Sequence, residues 1–279
     1  MTEHPFPHVT IGNYAITALS DGYLTASLDL LVNIDQDEAS ELHRRSGSHD
    51  HSPMHINSYL LHGNGHVALV DAGAGGVKQW GGELEERLPL AGVQRSDVDT
   101  ILLTHAHPDH IGGLTDIAGR ATFPNAELVI DDREVAFWRD DANLAHASER
   151  ARGNFQIARR ALDAYADRLR SFTANEALPG IEAVPLHGHT TGHTGYLVGG
   201  PARSMLFWGD TVHFPLIQAA RPEASVILDN DPVGAAASRL KTLEMASAEH
   251  LLVAGAHLNE RGFARVARSK NGYVITYED

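Results

Sequence analysis

Four side chains able to bind a metal fall within six residues, His105, His107, Asp109 and His110, in the run Thr-His-Ala-His-Pro-Asp-His-Ile-Gly-Gly at 104–113. In an extended loop, side chains at i and i+2 point the same way, so His105 and His107 can share one cation. Asp109 and His110 lie further along, where the chain bends, and can face a second cation beside the first. Imidazole and carboxylate together suit borderline metals such as zinc. The competing reading is a polar loop that happens to be rich in histidine, in a chain with 18 of them. The surrounding strand-loop-helix pattern favours the metal reading.

That pattern comes from the flanks. Residues 99–104 are short, apolar and β-branched, and read as a buried strand. Gly112, Gly113 and residues 114–118 read as a turn entering a helix. The ligands would then sit on a loop at the C-terminal end of a strand, held by a core yet open to solvent.

The 104–113 run resembles the H-x-H-x-D-H signature of the metallo-β-lactamase superfamily. The resemblance implies an α/β fold, an αββα sandwich of two mixed sheets flanked by helices, and three further ligands downstream. His193 ends the Gly-His-Thr-Thr-Gly-His run at 188–193, Asp210 follows Met-Leu-Phe-Trp-Gly at 205–209, and His257 follows Leu-Leu-Val-Ala-Gly-Ala at 251–256. By resemblance His105, His107 and His193 would hold one metal, Asp109, His110 and His257 the other, and Asp210 would bridge them. His189 would buttress its loop. The cofactors implied are two divalent metal ions, Zn2+ foremost.

A chain of 279 residues with 43% hydrophobic content can bury a large core, and a sandwich of this length can be one domain over 1–279. A formal net charge of −14, without a dense basic patch, argues against nucleic acid and anionic membranes as partners. The absence of cysteine excludes disulfides and thiolate ligands. With no basic n-region, apolar h-region or membrane-length run, a cytoplasmic protein is expected.

Along the chain, Pro5 and Pro7 suggest an irregular lead-in, and strand-like runs at 9–12 and 14–19 flank a hairpin signal at Gly12-Asn13. Residues 20–23 should turn the chain, with Asp21 as a turn residue; similar segments open the lactonase and organophosphate-hydrolase branch. A short helix is expected over 35–45 and a loop over 46–53, whose His49 and His51 read as loop residues rather than ligands. By resemblance the N-terminal extension 1–54 contributes to the pocket or to a homodimer contact. A hairpin over 55–70 turns at Asn64-Gly65, and Asp71 in the following D-x-G turn would support the metal loop from behind. Asp131 and Asp132 can cap a helix at 133–139, and a longer helix over 147–169 would wall the site, with His146 on the surface. His213 and Gln218, after Asp210, resemble the same branch; His213 lines the pocket or stands behind the ligands. Asp231-Pro232 opens a helix to about Ala248, and strands at 251–256 and 273–277 close the chain.

The chemistry implied by the resemblance is hydrolysis by a water ionised between two cations, with Asp109 and Asp210 as the catalytic carboxylates. A small-molecule lactone or ester, such as an acyl-homoserine lactone, is the expected substrate, with an organophosphate triester as the alternative. Two other classes share the ligands, an iron-centred oxidoreductase and a non-catalytic metal-binding protein.

Overall fold

Ile101 and Leu102 are neighbours in the strand Thr100–Leu102, yet they enter different cores. Successive strand side chains point to opposite faces, so a short strand that is apolar throughout must be covered on both sides. The computed structural model, which describes residues 5–45, 53–172, 175–199 and 203–278, shows what covers it. His49 and His51 lie outside these residues.

Thr100–Leu102 is central in a seven-stranded mixed sheet ordered His8–Ile11, Tyr14–Thr25, Pro53–Gly63, His66–Val70, Thr100–Leu102, Glu127–Asp131 and Leu169–Phe172. The last three pairings are parallel and the first three antiparallel. A second mixed sheet of seven is ordered Gly272–Tyr277, Phe263–Ser269, Leu252–Ala254, Met205–Phe207, Thr194–Val198, Ile181–Pro185 and Asn175–Leu178. Ile16, Leu61, Val70, Leu102 and Val129 of the first sheet face Tyr196, Val198, Phe207 and Leu252 of the second. On the outer face of the first sheet Leu69, Ile101 and Leu128 meet Leu88, Phe155 and Leu162 from its helices. On the outer face of the second, Leu206 and Val253 meet Leu243 and Ala246 of the helix Pro232–Ala248. Each such buried Leu or Ile contributes about 2 kcal/mol. The layers are those of an αββα sandwich. Among the described residues no helix is long and apolar enough to cross a membrane.

Several local expectations change. Residues 20–23 do not turn the chain: the strand Tyr14–Thr25 runs through them with a bulge after Ser20. The bulge aims Asp21 inward, where its carboxylate accepts the N–H groups of Ala74, Gly75 and Leu84. The helix expected after Gly113 instead starts before it, as a single turn Pro108–Ile111 with Pro108 in its first turn, so Asp109 and His110 are helical. The long helix ends at Ala164, and the sheet-edge strand Leu169–Phe172 follows. The strand Phe263–Ser269 was also not expected; Arg265 and Arg268 break its apolar pattern.

The sandwich brings strand ends together. Asp71 follows His66–Val70, the 104–107 loop follows Thr100–Leu102, Asp210 follows Met205–Phe207, and His257 follows Leu252–Ala254. Tyr59 joins the two sheets there: its hydroxyl donates to the Gly262 carbonyl at 2.6 Å and accepts the Gly255 N–H at 3.0 Å. The Asn57 amide donates to the carbonyls of Leu258 and Asn259, both at 3.1 Å, and fixes the stretch after His257.

Candidate metal centre

Asp71 organises the first loop. Its backbone is left-handed, with φ of 59°. Its carboxylate accepts the Thr104 N–H and hydroxyl, each at 2.8 Å, and faces His110 Nδ1 at 2.8 Å. The support expected of Asp71 is visible in these contacts. With Nδ1 so occupied, His110 turns Nε2 towards Asp210 Oδ1, 3.1 Å away. Neither His110 Nε2 nor Asp210 Oδ1 has a hydrogen-bond partner among the described residues.

The other histidines follow the same plan. His257 faces the His55 carbonyl through Nδ1 at 2.8 Å and brings Nε2 to 3.3 Å from Asp210 Oδ1 and 3.5 Å from Asp109 Oδ2. His189 faces Asp229 through Nδ1 at 2.7 Å, and its Nε2 lies 2.9 Å from His107 Nδ1 and 3.4 Å from Asp210 Oδ2. His105 Nε2 is 3.0 Å from the same His107 nitrogen. One ring nitrogen of each of His110, His189 and His257 is thus fixed by a carboxylate or carbonyl, which orients the other.

Two groups of potential donors result, His105, His107, His189 and Asp210, and Asp109, His110, Asp210 and His257; within each, the donor atoms lie within 4.8 Å of one another. Asp210 belongs to both. Of the seven residues expected from sequence, six gather here and His193 does not. Its Nδ1 faces the Leu186 carbonyl at 2.9 Å, and its Nε2 accepts the backbone N–H of Asp210 at 3.0 Å. His193 is the buttress and His189 faces the centre, the reverse of the expectation. Both flank Thr-Thr-Gly, and only the partners Asp229 and Leu186, brought by the fold, tell them apart.

The electrostatics suit cations. Burial, then the neighbouring histidines, holds His105 and His107 well below the ordinary imidazole range, which keeps them in the neutral form that ligates. Burial and the adjacent His189 push His193 down to about 3. Burial alone would raise Asp210, but His110, His257 and His213 around it hold it well below the usual carboxylate range. Three imidazole nitrogens converge near His107, and a buried imidazole nitrogen and carboxylate oxygen without partners converge near His110. Burial opposes charge on His110, His189 and His257 as well, yet Asp210, with Asp71, Asp229 and Asp109, raises all three, His189 to about 9, so both groups favour positive charge and the residues present fit a pair of cations.

Two residues that sequence reasoning passed over hold the loops. Glu134, fully buried, accepts the Ala106 N–H, the Trp138 indole N–H, the Thr190 hydroxyl and the Gly192 N–H at 2.7–3.0 Å, and so ties the His107 loop to the His189 loop. Arg239, also buried, donates to the carbonyls of Thr211, Pro222 and Ala224 and stands 3.8 Å from Asp229 behind His189. His213, left between two roles, places Nε2 3.1 Å from Asp210 Oδ2 and stacks on His257. It also lines the cavities beside the centre. Gln218 holds it by accepting the backbone N–H groups of His213 and Phe214.

The family model of the metallo-beta-lactamase superfamily matches residues 51–257. The fold superposes on a crystal structure of hydrolase AbOPH in the beta-lactamase superfamily with a TM-score of 0.92, 28% identity and all of both chains covered. For AidC, a dizinc quorum-quenching lactonase solved with its product, the TM-score is 0.91 at 25% identity, covering 98% of this chain and 97% of that one. YobT of Bacillus subtilis (strain 168), an uncharacterised protein, is 29% identical over 142 residues, 51% of this chain and 56% of YobT. The match thus spans little more than half the length of that relative. The chain belongs to the metallo-beta-lactamase superfamily.

Proposed function

We propose that the chain hydrolyses a lactone or ester, an N-acyl-homoserine lactone being the model substrate, at a pair of divalent cations. The observation that carries this reading is one carboxylate, Asp210, shared by two buried donor groups, one of which reaches an apolar cavity of about 320 Å³ through His257. Leu28, Met54, Phe214 and Ile217 line that cavity next to His213 and His257, a wall suited to an acyl chain. AidC, whose fold this chain shares, is a dizinc lactonase, which supports both the reaction and zinc.

In this reading His105, His107 and His189 would hold one cation and Asp109, His110 and His257 the other, with Asp210 available to both. When bound, such a pair supplies Lewis acidity and lowers the pKa of water. The remaining work falls to side chains. Asp109, which with Asp210, His213 and His257 lines a smaller void beside the apolar cavity, takes a proton from the attacking water and returns it to the alkoxide oxygen as the acyl C–O bond breaks. His213, beside Asp210 and facing the cavity, offers a ring nitrogen to an oxygen of the bound ester. Asp71, Asp229 and the His55 carbonyl keep the imidazoles turned inwards.

The test is a panel of lactones, esters and phosphotriesters run on protein of measured metal content. Turnover of lactones and esters that disappears with the metal is the expected result. Preferential turnover of phosphotriesters would move the substrate to that class, and oxygen consumption by an iron-loaded protein would replace hydrolysis altogether. A fully loaded protein inactive on the whole panel would leave a binding role.

A further inference from the structure

Between the strand His66–Val70 and the helix Leu84–Leu90 the chain passes through Gly-Gly-Val-Lys-Gln-Trp-Gly-Gly at 75–82. Its four glycines have φ of 58°, 84°, 51° and 101°, a region glycine enters freely. Lys78 and Gln79, which carry side chains, sit in the same left-handed region, with φ of 56° and 64°. Two consecutive residues held there are strained, and such backbone persists where other contacts over-determine it, often at ligand clamps.

Those contacts cross the site. The Lys78 ammonium donates to the side-chain oxygen of Asn154, on the helix Glu149–Ala164, and lies 5.0 Å from the centre of the Trp80 ring. Lys78, Trp80 and Asn154 together line a void of about 70 Å³ whose other walls include His107, Asp109 and His257. Among the described residues lining this void and the two larger cavities beside it, Lys78 is the only lysine or arginine. The loop therefore sets one ammonium beside the imidazoles and carboxylates of the site.

We propose that Lys78, braced by Asn154 and Trp80, is a specificity-determining residue that binds an oxygen acceptor carried by the substrate near its scissile ester, the amide carbonyl of an N-acylamino lactone. The assignment rests on the hydrolase reading above and narrows its substrate class. An ammonium-to-carbonyl hydrogen bond is charge-assisted and so worth more than a neutral one. An alkyl lactone without the amide cannot make it.

The experiment compares metal-loaded wild type with Lys78→Met on N-hexanoyl-homoserine lactone and on an alkyl γ-lactone of matched chain length. The ratio of the two kcat/KM values should shift about tenfold towards the alkyl lactone, chiefly through the KM of the amide substrate. Asn154→Ala should shift it in the same direction by less, and Lys78→Arg should restore part of it. An unchanged ratio, whether both rates fall together or neither moves, overturns the assignment. If the wild type hydrolyses neither lactone, the lactone reading fails on its own account. Calorimetric affinity for N-hexanoyl-homoserine then decides on Lys78: weaker binding by Lys78→Met upholds its role, and equal binding overturns it.

Discussion

The Nε2 atom of His189 lies 2.9 Å from Nδ1 of His107, although 82 residues separate them in the chain. His193, four residues beyond His189, instead accepts the backbone N–H of Asp210 at 3.0 Å. The two histidines should therefore fail differently when removed. His189→Ala is expected to lose one metal per chain and at least about a hundredfold in activity. His193→Ala should keep both metals and lose about 1–3 kcal/mol of stability, because the N–H of Asp210 is left buried without an acceptor. Metal analysis and thermal denaturation of the two variants check this; the reverse pattern would restore His193 as the ligand.

Glu134 is the most heavily used carboxylate behind the centre. Four donors converge on it, from Ala106, Trp138, Thr190 and Gly192. In Glu134→Gln an amide NH2 must face a backbone or indole N–H, so at least one buried donor loses its acceptor. The cost should be about 2–3 kcal/mol, read as a fall in Tm of about 5 °C, with weaker metal binding because the His107 and His189 loops drift apart. A Tm within a degree of wild type would show that Glu134 does not hold the loops.

Gly209 precedes the shared Asp210 with φ of 51°, and a Cβ there would lie 2.6 Å from His193 Nε2. Gly209→Ala meets both an unfavourable backbone and a collision. It is expected to cost about 2–4 kcal/mol and to reduce metal content by displacing Asp210. A stable variant with full metal content would mean that the strand end adapts more easily than this contact allows.

Much of this arrangement was legible in the sequence. Ile101 and Leu102, buried on opposite faces of one strand, left their mark as an unbroken apolar run before His105. Asn64-Gly65 marked its hairpin, and both residues have positive φ. Asp131 and Asp231 cap the helices expected to follow them. What was illegible depends on partners distant in the chain. The exchange of His189 for His193 turns on Asp229 and on the Leu186 carbonyl. Asp21 looked like a turn residue because Asp-Gly usually is one, whereas the N–H groups of Ala74 and Leu84 draw it inward from a bulge. Glu134 carried no local signal, since its four donors come from three separate segments.

Asp99 gives a pH prediction away from the centre. Burial would raise its pKa, but Thr100, the Val67 N–H and His66 hydrogen-bond its carboxylate and hold it below the ordinary value. A depressed pKa in the folded state contributes stability that is complete above the unfolded value, about 4, and is lost as pH falls through the folded one. Asp99→Asn should therefore be less stable than wild type at about pH 6, with a smaller gap at about pH 3. Denaturant titrations at the two pH values check it, and a gap that stays constant would contradict the linkage.

Metal content measured alongside hydrolysis tests the centre most directly. Two divalent ions per chain are expected, with lactone or ester hydrolysis lost on chelation and regained only as both are restored. Full hydrolysis by protein carrying one ion, or none, would contradict the shared role given to Asp210.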